Sequence, residues 1–221
     1  MRVLVINPIG DNSWDESDKN FYKVNACPTT NIDVVSLGRG PPSVETLRDL
    51  EVVKPLIKEL ALQKYKMYDG LIINCFLDPA VDELRKILDR PVVGPCEASL
   101  AFGSLFTDRL GVVSIEGEAL NLIKQNIKKL SYGHKVVSIR GIKTRVVDLR
   151  DNWDRVKAEL REESKKALSE GAEVIILGCT GLAGLGDTIS RDISKPVIDP
   201  AVAALKMIES LISLKLMRGG I

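Results

Sequence analysis

Two cysteines stand at matching places in an internal repeat of this 221-residue sequence, and a matched pair of thiols has a specific chemical use. The segments Asp69-Gly-Leu-Ile-Ile-Asn-Cys75 and Glu173-Val-Ile-Ile-Leu-Gly-Cys179 share one pattern: an acidic residue, four largely apolar residues, a small or polar residue, then cysteine. Downstream, Arg90-Pro91-Val92-Val93 matches Lys195-Pro196-Val197-Ile198 at nearly the same offset. Gly94-Pro95-Cys96-Glu97-Ala98 and Asp199-Pro200-Ala201-Val202-Ala203 then each open another helix. A thiolate is a base and a thiol is its conjugate acid. Placed on opposite sides of one carbon acid, such a pair removes a proton from one face and returns one to the other. The roles exchange for the reverse reaction, so inversion requires matched groups. Two sulfurs serving one carbon are expected roughly 7–8 Å apart, two proton-transfer contacts across a single atom.

The elements that must position these residues alternate along the chain. Arg2–Ile6, Ile32–Leu37, Gly70–Asn74, Pro91–Val93, Gly111–Ile115, Lys135–Ile139, Glu173–Leu177 and Pro196–Ile198 are short β-branched runs. Most are apolar without alternation, as in strands covered on both faces. Longer segments of helical spacing lie between them; Trp153, Val156, Leu160, Ala167 and Leu168 form one apolar stripe on the charged segment 151–169. The expected fold class is therefore α/β, with parallel sheets and right-handed crossovers. The repeat predicts two similar Rossmann-like lobes related by a pseudo-two-fold, with the active site in the cleft between them. Lobe one is expected to comprise residues 1–95 plus 199–221, and lobe two residues 96–198. Gly10–Thr30, Ser131–His134 and Gly141–Arg145 read as polar, irregular stretches; the first is long enough to suggest a lid or binding loop.

Cys75 and Cys179 both fall just after a buried strand and ahead of a helix, at the carboxyl edge where parallel α/β sheets bind ligands. A helix N-terminus there favours thiolate. The supporting residues follow from the same edge. Backbone N–H groups of Phe76 and Thr180 are expected donors to a developing enolate oxygen. Asn7, ending the first strand, offers an amide to a substrate carbonyl, and Cys96 and Glu97 open a helix facing the same cleft. Asp78-Pro79 and Asp199-Pro200 read as helix starts, with Asp at the N-cap and Pro at the first helical position. His134 is expected on the surface at the amino edge.

Composition narrows the alternatives. With 31 Lys+Arg against 30 Asp+Glu, the net charge of +1 offers no bulk attraction for nucleic acid or an anionic membrane. No apolar run approaches the roughly 18 residues of a membrane helix, and Met1–Pro8 is too short for a signal-peptide core. The chain reads as cytoplasmic, a setting in which its four cysteines are free thiols. No CxxC spacing occurs and there is one histidine, so no metal is expected. The glycines at 178, 181, 184 and 186 lack the Lys-Ser/Thr of a phosphate loop.

Val-Ile-Asn7-Pro8, Asn74-Cys75-Phe76-Leu77-Asp78-Pro79, Gly94-Pro95-Cys96-Glu97-Ala98 and Leu177-Gly178-Cys179-Thr180-Gly181 together resemble the aspartate/glutamate/hydantoin racemase superfamily, closest to its hydantoin and allantoin racemase branch. The resemblance implies racemisation by two cysteines without a cofactor, acting on a small-molecule substrate such as a 5-substituted hydantoin or related cyclic ureide. Two motifs depart from the branch: Ile9-Gly10 follow Asn-Pro where Asn and Thr or Ser are usual, and Cys96 stands where glycine is common. Decarboxylation needs only one cysteine, and the intact pair argues against it; other activities of the superfamily remain open, among them amino-acid racemisation and isomerisation of unsaturated diacids. So does a two-lobe ligand-binding protein with inert cysteines, and a homo-oligomer is compatible with either.

Overall fold

The computed structural model describes residues 1–216; the last part of the expected lobe-one tail, residues 217–221, lies outside the described residues. All eight expected strands form. The elements run β1 (Arg2–Asn7), α1 (Asp15–Asn25), β2 (Asn31–Ser36), α2 (Leu47–Lys64), β3 (Gly70–Ile73), α3 (Val81–Ile87), β4 (Val92–Val93) and α4 (Pro95–Phe106). The same order then repeats as β5 (Leu110–Ile115), α5 (Glu118–Lys129), β6 (Val136–Ile142), α6 (Trp153–Ser169), β7 (Val174–Leu177), α7 (Gly186–Ile193), β8 (Val197–Ile198) and α8 (Pro200–Ser213).

Each half builds a four-stranded, wholly parallel sheet, β2-β1-β3-β4 and β6-β5-β7-β8. The strand orders are the same, and so is the route into the central strands. Asp69 N–H donates to Arg2 O at 2.8 Å, and Glu173 N–H to Arg109 O at 2.8 Å, so the acidic residue that opens each repeat sits just ahead of its strand. The chain divides into two compact units, Met1–Pro95 with the chain from Ala201 on, and Cys96–Pro200. Helix α4 thus packs with the second unit and α8 with the first. Gly70, at the start of β3, makes room for α8: a Cβ there would lie 2.8 Å from Ile208 Cδ1.

In the first unit, Val3–Ile6 and Leu71–Ile73 are fully buried, and Leu4, Ile6, Leu71 and Ile73 share one core cluster with Val53, Ile57 and Ala61 of α2 and Leu84 of α3. Leu110, Val112, Val113 and Val174–Leu177 are the corresponding buried runs of the second unit. Fully burying one such side chain contributes about 1.5–3 kcal/mol, which is why unbroken apolar strands specify a sheet covered on both faces.

The stretch 10–30 is not a loop. It contains α1, whose first turn carries Asp15, Glu16 and Asp18, a favourable placement of negative charge at a helix N-terminus. Only Tyr22 of α1 is buried, so the apolar periodicity that announces a helix is missing. Gly141 likewise belongs to β6 rather than to a loop. His134 is exposed in a short 3₁₀ turn before β6.

Candidate active site

Both repeat cysteines lie just beyond the carboxyl end of a central strand. In the first unit, β3 ends at Ile73 and Asn74 N–H donates to Ile6 O of β1 at 2.8 Å; Cys75 follows. In the second, β7 ends at Leu177 and Gly178 N–H donates to Val113 O of β5 at 2.7 Å; Cys179 follows. Each cysteine carbonyl then closes a turn, accepting from Asp78 N–H at 3.0 Å and from Leu182 N–H at 3.1 Å. Both side chains are partly exposed, unlike the strands beneath them.

The turns are not the helix starts that the sequence suggests. Helix α3 begins only at Val81, and its N-cap position is Ala80, at φ +61°, with no side-chain cap. Asp78 therefore does not cap α3. It sits at φ +49°, a left-handed conformation that Asp tolerates better than most residues, and its carboxylate points to the end of β4. A Cβ placed on Gly94 would fall 2.5 Å from Asp78 Oδ1 and 2.6 Å from Oδ2. Cys179 occupies the N-cap position of the 3₁₀ turn Thr180–Leu182, and α7 follows at Gly186. Phe76 is buried and Thr180 half-buried, both within these turns rather than in a helical first turn. Asp199-Pro200 behaves as the sequence suggests, since α8 starts at Pro200. Asp199 also reaches sideways, accepting from Gly184 N–H at 2.7 Å.

Asn7 is 3% exposed at the end of β1, and its amide is already engaged. Nδ2 donates to Asp15 Oδ1 and to Asp18 Oδ2, each at 3.0 Å, and Oδ1 accepts from Asn74 Nδ2 at 2.7 Å. Tyr22 Oη donates to Asn74 Oδ1 at 2.8 Å, and Asn74 Nδ2 lies 3.3 Å from Asp18 Oδ2. Asp15 also accepts from Ser36 N–H and Oγ, tying the end of β2 to the same cluster. Asn7 therefore stands behind Asn74, the residue before Cys75, and both its amide hydrogens are spent on carboxylates. In the second unit a single hydroxyl does the matching work: Ser114 Oγ donates to Gly178 O at 2.6 Å.

Asp15, Asp18, Tyr22 and Asn74 are the residues that reading the sequence overlooked. Their signal was present as a polar stripe. Asp15, Asp18 and Tyr22 are spaced i, i+3, i+7, one face of a helix, but in residue types that an apolar search ignores.

Cys96 is fully buried in the first turn of α4, and Glu97 beside it is half-buried. Cys27 lies elsewhere, at the α1–β2 connection, where its Sγ–H faces Glu209 of α8. Hydrogen bonding to that carboxylate, burial and the nearby negative charge push the Cys27 thiol up from its ordinary value. Elsewhere in the second unit, Glu159 of α6 accepts from Lys143 N–H and Thr144 N–H, fixing the chain as it leaves β6. Burial pushes Glu159 up, but bonds from Arg155 and from Thr144 and Lys143 outweigh it and hold the carboxyl below its usual range. Among the described residues no group of three or more His, Cys, Asp or Glu is placed to hold a metal ion, and no helix is long and apolar enough to cross a membrane.

Comparison with known proteins places this architecture. The family model described as Asp/Glu/Hydantoin racemase matches residues 17–208. A hydantoin racemase of Pseudomonas sp. (strain NS671) is 30% identical over 216 residues, covering 97% of this chain and 87% of that protein. Among solved structures, allantoin racemase from Klebsiella pneumoniae aligns with a TM-score of 0.91 at 29% identity, over 99% of this chain and 90% of that one. Allantoin racemase from Pseudomonas fluorescens gives 0.93 at 26% identity, over 100% and 94%.

Proposed function

The chain belongs to the Asp/Glu/hydantoin racemase family of isomerases, and we propose that it inverts the C5 stereocentre of a 5-substituted hydantoin or a closely related cyclic ureide, with Cys75 and Cys179 as the two acid–base groups. One observation carries the reading: the two cysteines occupy equivalent stations, one residue past the N–H that locks onto the central strand of each parallel sheet. The relatives named for hydantoin and allantoin support the substrate class, since allantoin is itself a hydantoin ring bearing a ureido group at C5.

In the proposed reaction the C5–H bond breaks towards one cysteine thiolate. The electron pair moves onto the adjacent C4 carbonyl as an enolate, and the second cysteine, as a thiol, delivers its proton to the opposite face of C5. The pair ends with its protonation exchanged, ready for the other enantiomer. Backbone N–H groups of Phe76 and Thr180 are the proposed partners of the enolate oxygen. Asn7 acts through Asn74 on the backbone at Cys75, and half-buried Glu97 stands on the substrate side where α4 begins, whereas Cys96, fully buried, packs behind that turn and does not line the site as the sequence suggested. No cofactor enters these steps.

The test is polarimetry of the purified protein against single enantiomers of hydantoins with small, aromatic and ureido C5 substituents, with free aspartate and glutamate alongside. Loss of optical rotation is expected with hydantoins, before and after treatment with a chelator. Racemisation confined to the free amino acids, or activity lost to the chelator and restored by zinc, contradicts the proposal. Complete inactivity with substrate-range binding would favour a ligand-binding protein.

A further inference from the structure

The cysteine turns are each braced by an aspartate, but the aspartates come from opposite ends of the brace. In the first unit Asp78 belongs to the turn, three residues after Cys75, and its carboxylate lies over Gly94 at the end of β4. In the second unit the residue three past Cys179 is the buried Leu182, and the carboxylate comes from Asp199 at the end of β8, the repeat partner of Gly94. It accepts from Gly184 N–H within the turn at 2.7 Å. Gly184, at φ +89°, is itself the repeat partner of Ala80, at φ +61°. The backbone is thus bent alike in both turns, while the aspartate is supplied by the turn in the first unit and by the end of the neighbouring strand in the second. Gly186 completes the fit in the second unit, where an added Cβ would lie 3.3 Å from Asp199 Cβ.

Both struts end at the points where the chain crosses between units: Gly94 precedes Pro95, and Asp199 precedes Pro200. We infer that Asp78 and Asp199 are reciprocal positioning residues, each fixing its own cysteine turn against the crossover of its unit. The inference rests on the racemase reading for the consequence to activity, but not for the brace itself. Removing either carboxylate frees one turn only, so the effect falls on one cysteine and not on the other. Misplacement by about 1 Å is enough to cost on the order of a hundredfold in rate.

The experiment measures alkylation of the full chain by iodoacetamide, with Cys75, Cys179 and the exposed Cys27 followed separately by peptide mass, beside racemisation kinetics. Asp78→Ala is expected to change the alkylation rate of Cys75 about tenfold and that of Cys179 less than twofold; Asp199→Ala is expected to do the reverse. Both lower kcat by roughly 10–100-fold with KM little changed. Asp78→Asn, which keeps size and an acceptor oxygen, restores most of the loss. The swap provides a second arm. Gly94→Asp alone drives its side chain into the Asp78 carboxylate, whereas Asp78→Leu with Gly94→Asp reproduces the second unit's Leu182 and Asp199, with Ala80 N–H at the place of Gly184 N–H, and is expected to recover Cys75 reactivity. Both cysteines shifting together in each variant, or neither shifting while the protein stays folded, overturns the inference. If the wild type racemises nothing, the alkylation pattern still decides the brace, and only the racemase reading falls.

Discussion

The two lobes solve one positioning problem by different means. Both bring a cysteine to the carboxyl edge through the same backbone bond, Asn74 N–H to Ile6 O in one and Gly178 N–H to Val113 O in the other. Around that bond the first lobe assembles a polar cluster: Asn7, Asn74, Tyr22 and the carboxylates of Asp15 and Asp18. The second lobe uses close packing. Gly178 sits so near Ser114 that an added Cβ would lie 2.6 Å from the serine Cβ, and one hydroxyl completes the arrangement. A repeat therefore preserves a backbone path while leaving the side chains that hold it free to differ. It also means that the two cysteines sit in different electrostatic surroundings, with paired carboxylates behind Asn74 and none in the Ser114–Gly178 contact itself.

The comparison is broken most severely at the cysteines. Cys75→Ala and Cys179→Ala are each expected to lower racemisation by at least about a thousandfold, because groups acting as a unit fail together and not additively. Steady-state polarimetry on both enantiomers checks this; a single variant within tenfold of wild type would remove that cysteine from the reaction.

Smaller effects separate the two means of support. Asn74→Ala strips Tyr22 Oη and Asn7 Oδ1 of a buried partner and is expected to cost about 2–3 kcal/mol in denaturant unfolding. Gly178→Ala forces overpacking against Ser114 and is expected to cost about 1–3 kcal/mol. Pairing Gly178→Ala with Ser114→Gly opens the space and recovers part of that loss, whereas no single apolar replacement repairs Asn74→Ala. Equal rescue in both lobes would erase the distinction.

Much of this was legible beforehand, and what was not has a physical reason. The central strands β1, β3, β5 and β7 announced themselves because each is an almost wholly apolar, β-branched run covered on both faces. The cysteine stations followed from the repeat. Helix α1 was hidden because its inward face is Asp15, Asp18 and Tyr22, polar groups satisfied by Asn7 and Asn74 rather than by apolar contact. With α1 unseen, Asn7 looked free for a ligand. Asp78-Pro79 reads as a helix start just as Asp199-Pro200 does, but the bond from Asp78 N–H to Cys75 O turns the chain once more before α3 begins. The difference depends on contacts with Gly94, sixteen residues away, and no local pattern encodes it.

The smallest expected effect concerns the attachment of α8 to the first lobe. Glu209, 4% exposed, accepts from Cys27 N–H at 2.8 Å, Thr30 Oγ1 at 2.7 Å and Lys206 Nζ at 3.1 Å. Burial pushes its carboxyl up, but those bonds prevail and hold it below the ordinary value. A depressed carboxyl stabilises the fold at pH above its unfolded value, about 4.3, and loses that contribution as pH falls through the folded value. Thermal unfolding of Glu209→Gln should therefore show a shallower decline than wild type on acidification below about pH 5. Identical acid profiles would mean that the carboxylate contributes nothing to holding α8.

The most direct test of the two-base account is solvent exchange in D₂O, followed by NMR of the C5 hydrogen in single enantiomers of a substrate hydantoin. Each cysteine variant retains one base on one face, so it can remove and return a proton there without inversion. Cys75→Ala and Cys179→Ala are expected to exchange the hydrogen of opposite enantiomers, each with configuration kept, and the double variant to exchange neither. Exchange of the same enantiomer by both single variants, or undiminished exchange in the double variant, would contradict the assignment of the two cysteines to opposite faces of one carbon.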